Sequence, residues 1–333
     1  MVQKRRIQFI GTAILLVLLF MADIAVGSVS VPLRDVWGAL TGSPEVSAVS
    51  RAIIVDIRLL KAVVALLAGA ALAVSGLQMQ TLFRNPLAGP YVLGISSGAS
   101  LGVALFILAG PVMHLPAWLC SLGIAGAAWI GAAAILAVIA VVGQRIKDIM
   151  VILILGMMFS SGVSAIVQIL QYLSHEEALK AFVIWTMGSL GDVTRQQLWI
   201  LLPAVVGGLL LAVITIKPLN LLLFGEEYAV TMGLDITRSR RLLFISTTLL
   251  AGSVTAFCGP IGFIGLAMPH VSRMIFNDSD HRVLIPATML TGACVLLICD
   301  IISKTLTLPI NSITALLGIP VVVYVVVKNS ARS

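Results

Sequence analysis

Asp300 and Lys304 stand four residues apart beside an apolar run, close enough on a helix to pair on one face. They are the nearest thing in the chain to a charged constellation. The histidines, His114, His175, His270 and His281, are scattered without ligand spacing, so no metal site is expected. Cys120, Cys258, Cys294 and Cys299 include no C-x-x-C pair and lie in or beside apolar runs, as small buried hydrophobes do. No nucleophile–base pair stands out. No G-x-x-x-x-G-K-[ST] phosphate loop is present, so the chain cannot itself hydrolyse ATP by that route. The residue inventory supports neither a catalytic residue nor a cofactor.

What remains polar is punctuation. "RNPLAGPYVLGISSGAS" (Arg84–Ser100) places prolines, glycines and serines between two apolar stretches, and "GPIGFIGLAMPH" (Gly259–His270) places prolines and glycines again. The elements around them follow from composition. Of 333 residues, 59% are hydrophobic and 11% charged, against roughly 25% charged in soluble domains. Such a chain cannot cover a water-facing surface, so the bilayer is its solvent and one membrane domain over residues 1–333 is expected.

Spanning helices need about 20 largely apolar residues. Ten candidates are read: 7–27, 62–82, 92–110, 117–142, 149–170, 198–216, 242–257, 261–276, 283–300 and 312–327. Gly259-Pro260 divides two short ones, and Pro269 interrupts the second. The first follows Lys4-Arg5-Arg6 but outruns a signal h-region, so it reads as a retained helix. An even count puts both termini on one side. Fourteen of the 21 Lys and Arg then fall on that side, among them Arg84, Arg145, Lys147, Arg282, Lys328 and Arg332, which makes it the cytoplasm. This asymmetry accounts for the net charge of +7 without nucleic acid.

Ion-coupled carriers place ionisable groups near mid-membrane. Here Asp23, Arg273 and Asp300 sit near the ends of their runs, so the energy for transport is expected from elsewhere. One cytoplasmic loop is structured. From Leu219 to Arg241 it carries Gly225, then Glu226 and Glu227 at a helix start, then Ala229, Met232, Gly233 and Leu234. This reads as a short amphipathic helix with acids at its favourable end. It either lies on lipid or docks a soluble partner, and acids favour docking because anionic lipid repels them.

Four stretches carry a family resemblance. They are "IRLLKAVVALLAGAALAVSGLQMQTLFRNPLAGPYVLGISSGASLG" (Ile57–Gly102), "WTMGSL" (Trp185–Leu190), "GEEYAVTMGL" (Gly225–Leu234) and "GPIGFIGLAMPHVSRMI" (Gly259–Ile275). The chain resembles the permease subunits of bacterial type II ABC importers, the iron-siderophore, haem and vitamin B12 group. The resemblance implies an all-α polytopic fold of about ten transmembrane helices, with inverted-repeat-like broken segments and a cytoplasmic coupling helix. It further implies a homodimer, two cytoplasmic ABC ATPase subunits and an extracytoplasmic substrate-binding protein, in a bacterial cytoplasmic membrane. Gly225, Glu226, Glu227, Ala229, Met232, Gly233 and Leu234 would couple to the ATPase. Arg58, Lys61 and Lys304 would meet the binding protein, unless they only anchor helix ends or pair with Asp56 and Asp300. Ile149 and Met150 would close the inner gate, or simply begin a helix. The small residues Gly94, Ser96, Ser97, Gly98, Ala99 and Ser100 would pack the third helix or line the pathway.

Three positions depart from the family pattern: Gly89 follows "NPLA" where an acid is usual, "RLLK" (Arg58–Lys61) stands for "RLPR", and "TLPIN" (Thr307–Asn311) stands for "ELPVG". The expected cargo is a bulky metal chelate, an iron-siderophore first, with haem or a corrinoid as alternatives. The competing readings are an ion-coupled secondary transporter with broken helices and a non-transporting membrane scaffold.

Overall fold

A computed structural model describes residues 2–27, 31–43, 46–110, 117–143, 146 and 148–330. Glu45, His114, Arg145, Lys147 and Arg332 lie outside the described residues. Among those described there are fourteen helices and no strand, taking whole two helices that each contain a π-helical stretch. In chain order they are α1 (Val2–Ala25), α2 (Leu33–Thr41), α3 (Ala48–Leu82), α4 (Ile95–Ile107), α5 (Ala117–Gly143), α6 (Ile149–Leu173) and α7 (Glu176–Thr186). There follow α8 (Arg195–Ile214), α9 (Ile216–Leu222), α10 (Glu226–Thr231), α11 (Ile236–Cys258), α12 (Ile264–Phe276), α13 (His281–Leu306) and α14 (Ile310–Ser330).

A helix falls in each of the ten expected segments, and seven helices are long and apolar enough to cross a membrane. α4 is not. It has 13 residues where 92–110 suggests a full span. The loop before it is drawn into the protein instead. Val92 presents its carbonyl to Gly156, and Gly94, at φ +73°, sits beside Ser160. At 1.5 Å per residue those positions lie roughly 10 and 16 Å along α6 from its N-terminal end. α4 therefore starts deep in the fold.

The centre of the molecule is α3. Every side chain from Ala68 to Leu82 is buried, and α13, α12, α8 and α11 surround it. In lipid, apolar side chains gain nothing by leaving one apolar phase for another, so helices hold together by close approach. The glycines supply that approach. A Cβ on Gly76 would lie 1.7 Å from the carbonyl oxygen of Gly265 in α12, and one on Gly69 would lie 2.4 Å from that of Gly292 in α13. α4 and α5 meet the same way, with Gly102 against the carbonyl of Ala127.

The expected break at Gly259-Pro260 is present. Gly259 has φ +73° and Phe263 +64°, and α12 begins only at Ile264. Non-helical backbone at this depth needs internal partners. The Tyr91 hydroxyl donates to the Ile261 carbonyl at 3.0 Å. The Gly262 N–H donates to Asn311 Oδ1 at 2.9 Å, and the Ser189 N–H donates to the Cys258 carbonyl at 2.8 Å. Asn311, one of the departures in "TLPIN", thus caps the break.

Candidate coupling loop, outer charge network and translocation face

The loop from Lys217 to Asp235 is built around two glycines. Gly225 at φ +104° and Gly233 at +84° adopt conformations that side chains disfavour, and α10 lies between them. Ala229 is fully buried and seats α10 on the body. Glu226 is not left open for a partner. Its carboxylate takes two hydrogen bonds of 2.7 Å from Arg240 Nη2, and Arg240 Nη1 donates on to the Ile146 carbonyl at 3.3 Å. Glu227 remains exposed, as do Met232 and Gly233, while Leu234 is half-buried. Around them Phe224 (70% exposed), Tyr228, Val230 and Met232 form an apolar surface, with the Phe224 and Tyr228 rings 5.4 Å apart. An exposed apolar patch of this kind suits contact with another protein or with lipid. Phe224, Tyr228 and Arg240 join the acids at this loop without having been legible as site residues. The run "LNLLLFGEEY" was the available signal, because a solvated turn has no need of so many apolar residues.

Behind the loop, Asn220 ties α9 to the start of α13. It donates to Asp280 Oδ1 at 2.7 Å and accepts from the His281 backbone N–H at 2.9 Å. His281 Nε2 meets Thr81 Oγ1 of α3 at 2.9 Å. Asp280 caps α13, and the Arg282 backbone N–H holds its carboxyl below the usual carboxylate range. The loop is therefore wired to the central helix.

At the opposite end, the three cations expected on the outer surface turn inward. Lys304 Nζ lies 2.9 Å from Asp23 and 2.7 Å from Asp300, and Lys61 Nζ lies 3.0 Å from Asp300. Both acids are fully buried. Arg58, 4% exposed, donates to the carbonyls of Ile24 at 3.2 Å and Ala25 at 2.8 Å. The π-helical stretch Ile53–Leu59 precedes the α-helical part of α3 and carries Arg58. Arg58 thus ties down a helix end, and Lys61 and Lys304 pair with Asp300, as one of the two readings of these cations allowed. Unpaired charges are costly at a membrane-embedded helix end, so the chain supplies its own counter-ions. The pairing of Lys304 with Asp300 was legible. Asp23 was not, because it arrives on α1. Asp56 faces Arg195 at 4.0 Å, with both side chains exposed.

The gate candidates differ in placement. Asp148 caps α6 by accepting from the Met150 N–H at 2.8 Å. Ile149 is buried, whereas Met150 is 41% exposed. Met150 heads an open face of α6 that continues through Ile154, Met157, Ser161, Ser164 and Gln168. Two cavities follow it. One of about 430 Å³ touches Tyr91, Ser96, Ser97, Met157, Ser160 and Ser161. The other, of about 270 Å³, touches Ser96, Ser97, Ser100, Ser164, Gln168 and Gln171. The small residues of α4 thus divide. Gly98 packs against Gly131 of α5, and the serines face the cavities.

A model of the FecCD transport family matches residues 15–328. The chain belongs to the FecCD transport family. Its relatives include the hemin transport system permease protein HmuU of Yersinia pestis, 35% identical over 95% of this chain and 93% of that one. The vitamin B12 import system permease protein BtuC of Klebsiella pneumoniae is 36% identical over 99% and 97%. Among solved structures, a metal-chelate type ABC transporter in an inward-facing conformation superposes with a TM-score of 0.83 at 30% identity, covering 96% of this chain and 98% of that one. This FecCD chain is a multi-pass membrane protein with the ABC-permease fold.

Proposed function

We propose that this FecCD chain is the permease subunit of an ATP-driven importer. Two copies form a central pathway between their α4 and α6 faces. Two cytoplasmic ABC ATPases seat on the surface formed by Phe224, Tyr228, Val230 and Met232. An extracytoplasmic binding protein delivers a bulky metal chelate, as the names of the haem and vitamin B12 relatives suggest. The membrane is the bacterial cytoplasmic membrane, with both termini inside.

The observation that carries the reading is the exposed apolar surface on α10, held between two glycine hinges and fastened by Glu226–Arg240 to α11. Force from an ATPase would enter there and reach α3 through Asn220, His281 and Thr81. Gly225, Glu226, Ala229, Gly233 and Leu234 set the shape of the coupling loop, while Glu227 and Met232 offer contacts. Met150 is positioned to narrow the inner end of the pathway, with Ile149 packing behind it. An apolar ring there closes a pore by excluding water. On the outer side, Lys61 retains 20% side-chain exposure and is the cation that can still meet a binding-protein carboxylate, while Arg58 and Lys304 hold the helices beneath it. The test is co-purification with the co-expressed ATPase. Tyr228→Asp with Met232→Asp should abolish it and leave a folded permease. An undiminished complex removes this surface from the account.

A further inference from the structure

We propose that the cargo is a near-neutral chelate whose rim is built of amide, hydroxamate or hydroxyl groups. The proposal excludes an apolar macrocycle bearing carboxylates and a highly charged complex. This deepens the importer reading and rests on it.

The face of α6 bearing Ser164, Gln168 and Gln171 is open, and these side chains make no hydrogen bond among the described residues, nor do those of Ser96, Ser97 and Ser100 on α4. Hydroxyls and carboxamides left unpaired in hydrocarbon are costly, so this face must meet water, a partner or cargo. The other outward face of α6 carries Ile166, Ile169 and Leu173, as lipid requires.

The two cavities on the polar face share Ser96 and Ser97, so they form one continuous groove. Neither is lined by Lys, Arg, His, Asp or Glu. The groove therefore offers many hydrogen-bonding groups and no counter-charge. A complex of high net charge would shed its hydration against low-dielectric walls and find no compensating charge. A porphyrin would set its apolar faces against hydroxyls and its carboxylates against nothing cationic. A chelate rimmed with neutral amides or hydroxamates exchanges water for Gln168, Gln171 and the serines at little cost. Two sources share that chemistry, a trihydroxamate iron complex and an amide-rimmed corrinoid. Toward the Met150 end the same face turns apolar through Ile154 and Met157, so the hydrogen-bonding section is confined to the outer part of the groove.

The experiment uses the whole transporter, with its ATPase and binding protein, in proteoliposomes. Four probes are compared: ferrichrome (a neutral trihydroxamate), cyanocobalamin, haemin and ferric enterobactin (a trianionic tricatecholate). Uptake of ferrichrome or cyanocobalamin should exceed that of the other two by about tenfold or more, and whichever is carried identifies the source. Gln168→Leu with Gln171→Leu should lower that uptake by roughly tenfold, because the cargo's groups lose their partners. Gln168→Asn with Gln171→Asn should restore most of it, and co-purification with the ATPase reports that the variants fold. Preferred uptake of haemin or ferric enterobactin overturns the proposal. So does wild-type uptake of the neutral chelate by the leucine variant. If ATP hydrolysis responds to the binding protein but neither neutral probe enters, the cargo class falls and the importer reading stands. If no ATPase associates and no probe enters, the importer reading falls and takes the cargo class with it.

Discussion

Lys304→Met removes the hub of the outer charge network. In the wild type Lys304 neutralises Asp23 at 2.9 Å and shares Asp300 at 2.7 Å with Lys61. After the substitution Asp300 keeps Lys61 at 3.0 Å, but Asp23, fully buried, keeps no counter-ion. Leaving one member of a buried pair uncompensated costs about 3–5 kcal/mol. Replacing the pair together, with Asp23→Asn and Lys304→Met, leaves no orphan charge and should stay within about 1–2 kcal/mol of wild type. The two substitutions should therefore be strongly non-additive. The assay is thermal unfolding of the detergent-solubilised protein, followed by a thiol-reactive dye that reaches the buried Cys258, Cys294 and Cys299 only on opening. At roughly 2–4 °C per kcal/mol, the single variant should melt about 6–20 °C lower. The paired variant should recover most of that loss. A single variant as stable as wild type, or a paired one no better than the single, would refute the buried-charge reasoning.

Other outcomes follow from the same geometry. Single cysteines placed near Arg84, Glu226 and Asp278 should label only from the cytoplasmic side, and outside labelling at Glu226 overturns the orientation. Gly76→Val should yield no folded protein by size-exclusion profile, because a Cβ there sits 1.7 Å from a backbone oxygen, whereas Gly11→Val, with nothing within 4 Å, should behave as wild type. Glu226→Lys should lose ATPase co-purification by unseating the loop from Arg240, and the exchange Glu226→Arg with Arg240→Glu should recover part of it. If the exchange is as defective as the single change, the pair does not hold the loop.

Much of the architecture was legible because lipid leaves the chain few choices. Apolar length placed a helix in each of the ten segments, and Gly259-Pro260 marked a real break. The misreadings share one cause, which is that sequence reports near neighbours and the site is made of distant ones. Residues 92–94 look like the start of a span, but the chain there turns against Gly156, some sixty residues on, and α4 starts later. Arg58 and Lys304 could be read as docking cations or as helix anchors, and their acceptors Ala25 and Asp23 were not legible because they belong to α1. Arg240 was not legible as a partner of Glu226, because it lies 14 residues ahead, past a glycine turn. The close approach of Gly69 and Gly76 in α3 to Gly292 and Gly265 was not read from the sequence, because those partners lie far along the chain.

The central claim is that ATP, hydrolysed by a separate subunit, drives cargo through this chain. Proteoliposomes containing the permease, its ATPase and its binding protein test it directly when uptake is measured with ATP or a non-hydrolysable analogue on the ATPase side, and separately under imposed proton and sodium gradients. The account predicts uptake that requires hydrolysable ATP and persists when both gradients are collapsed. Uptake driven by either gradient without ATP would contradict it.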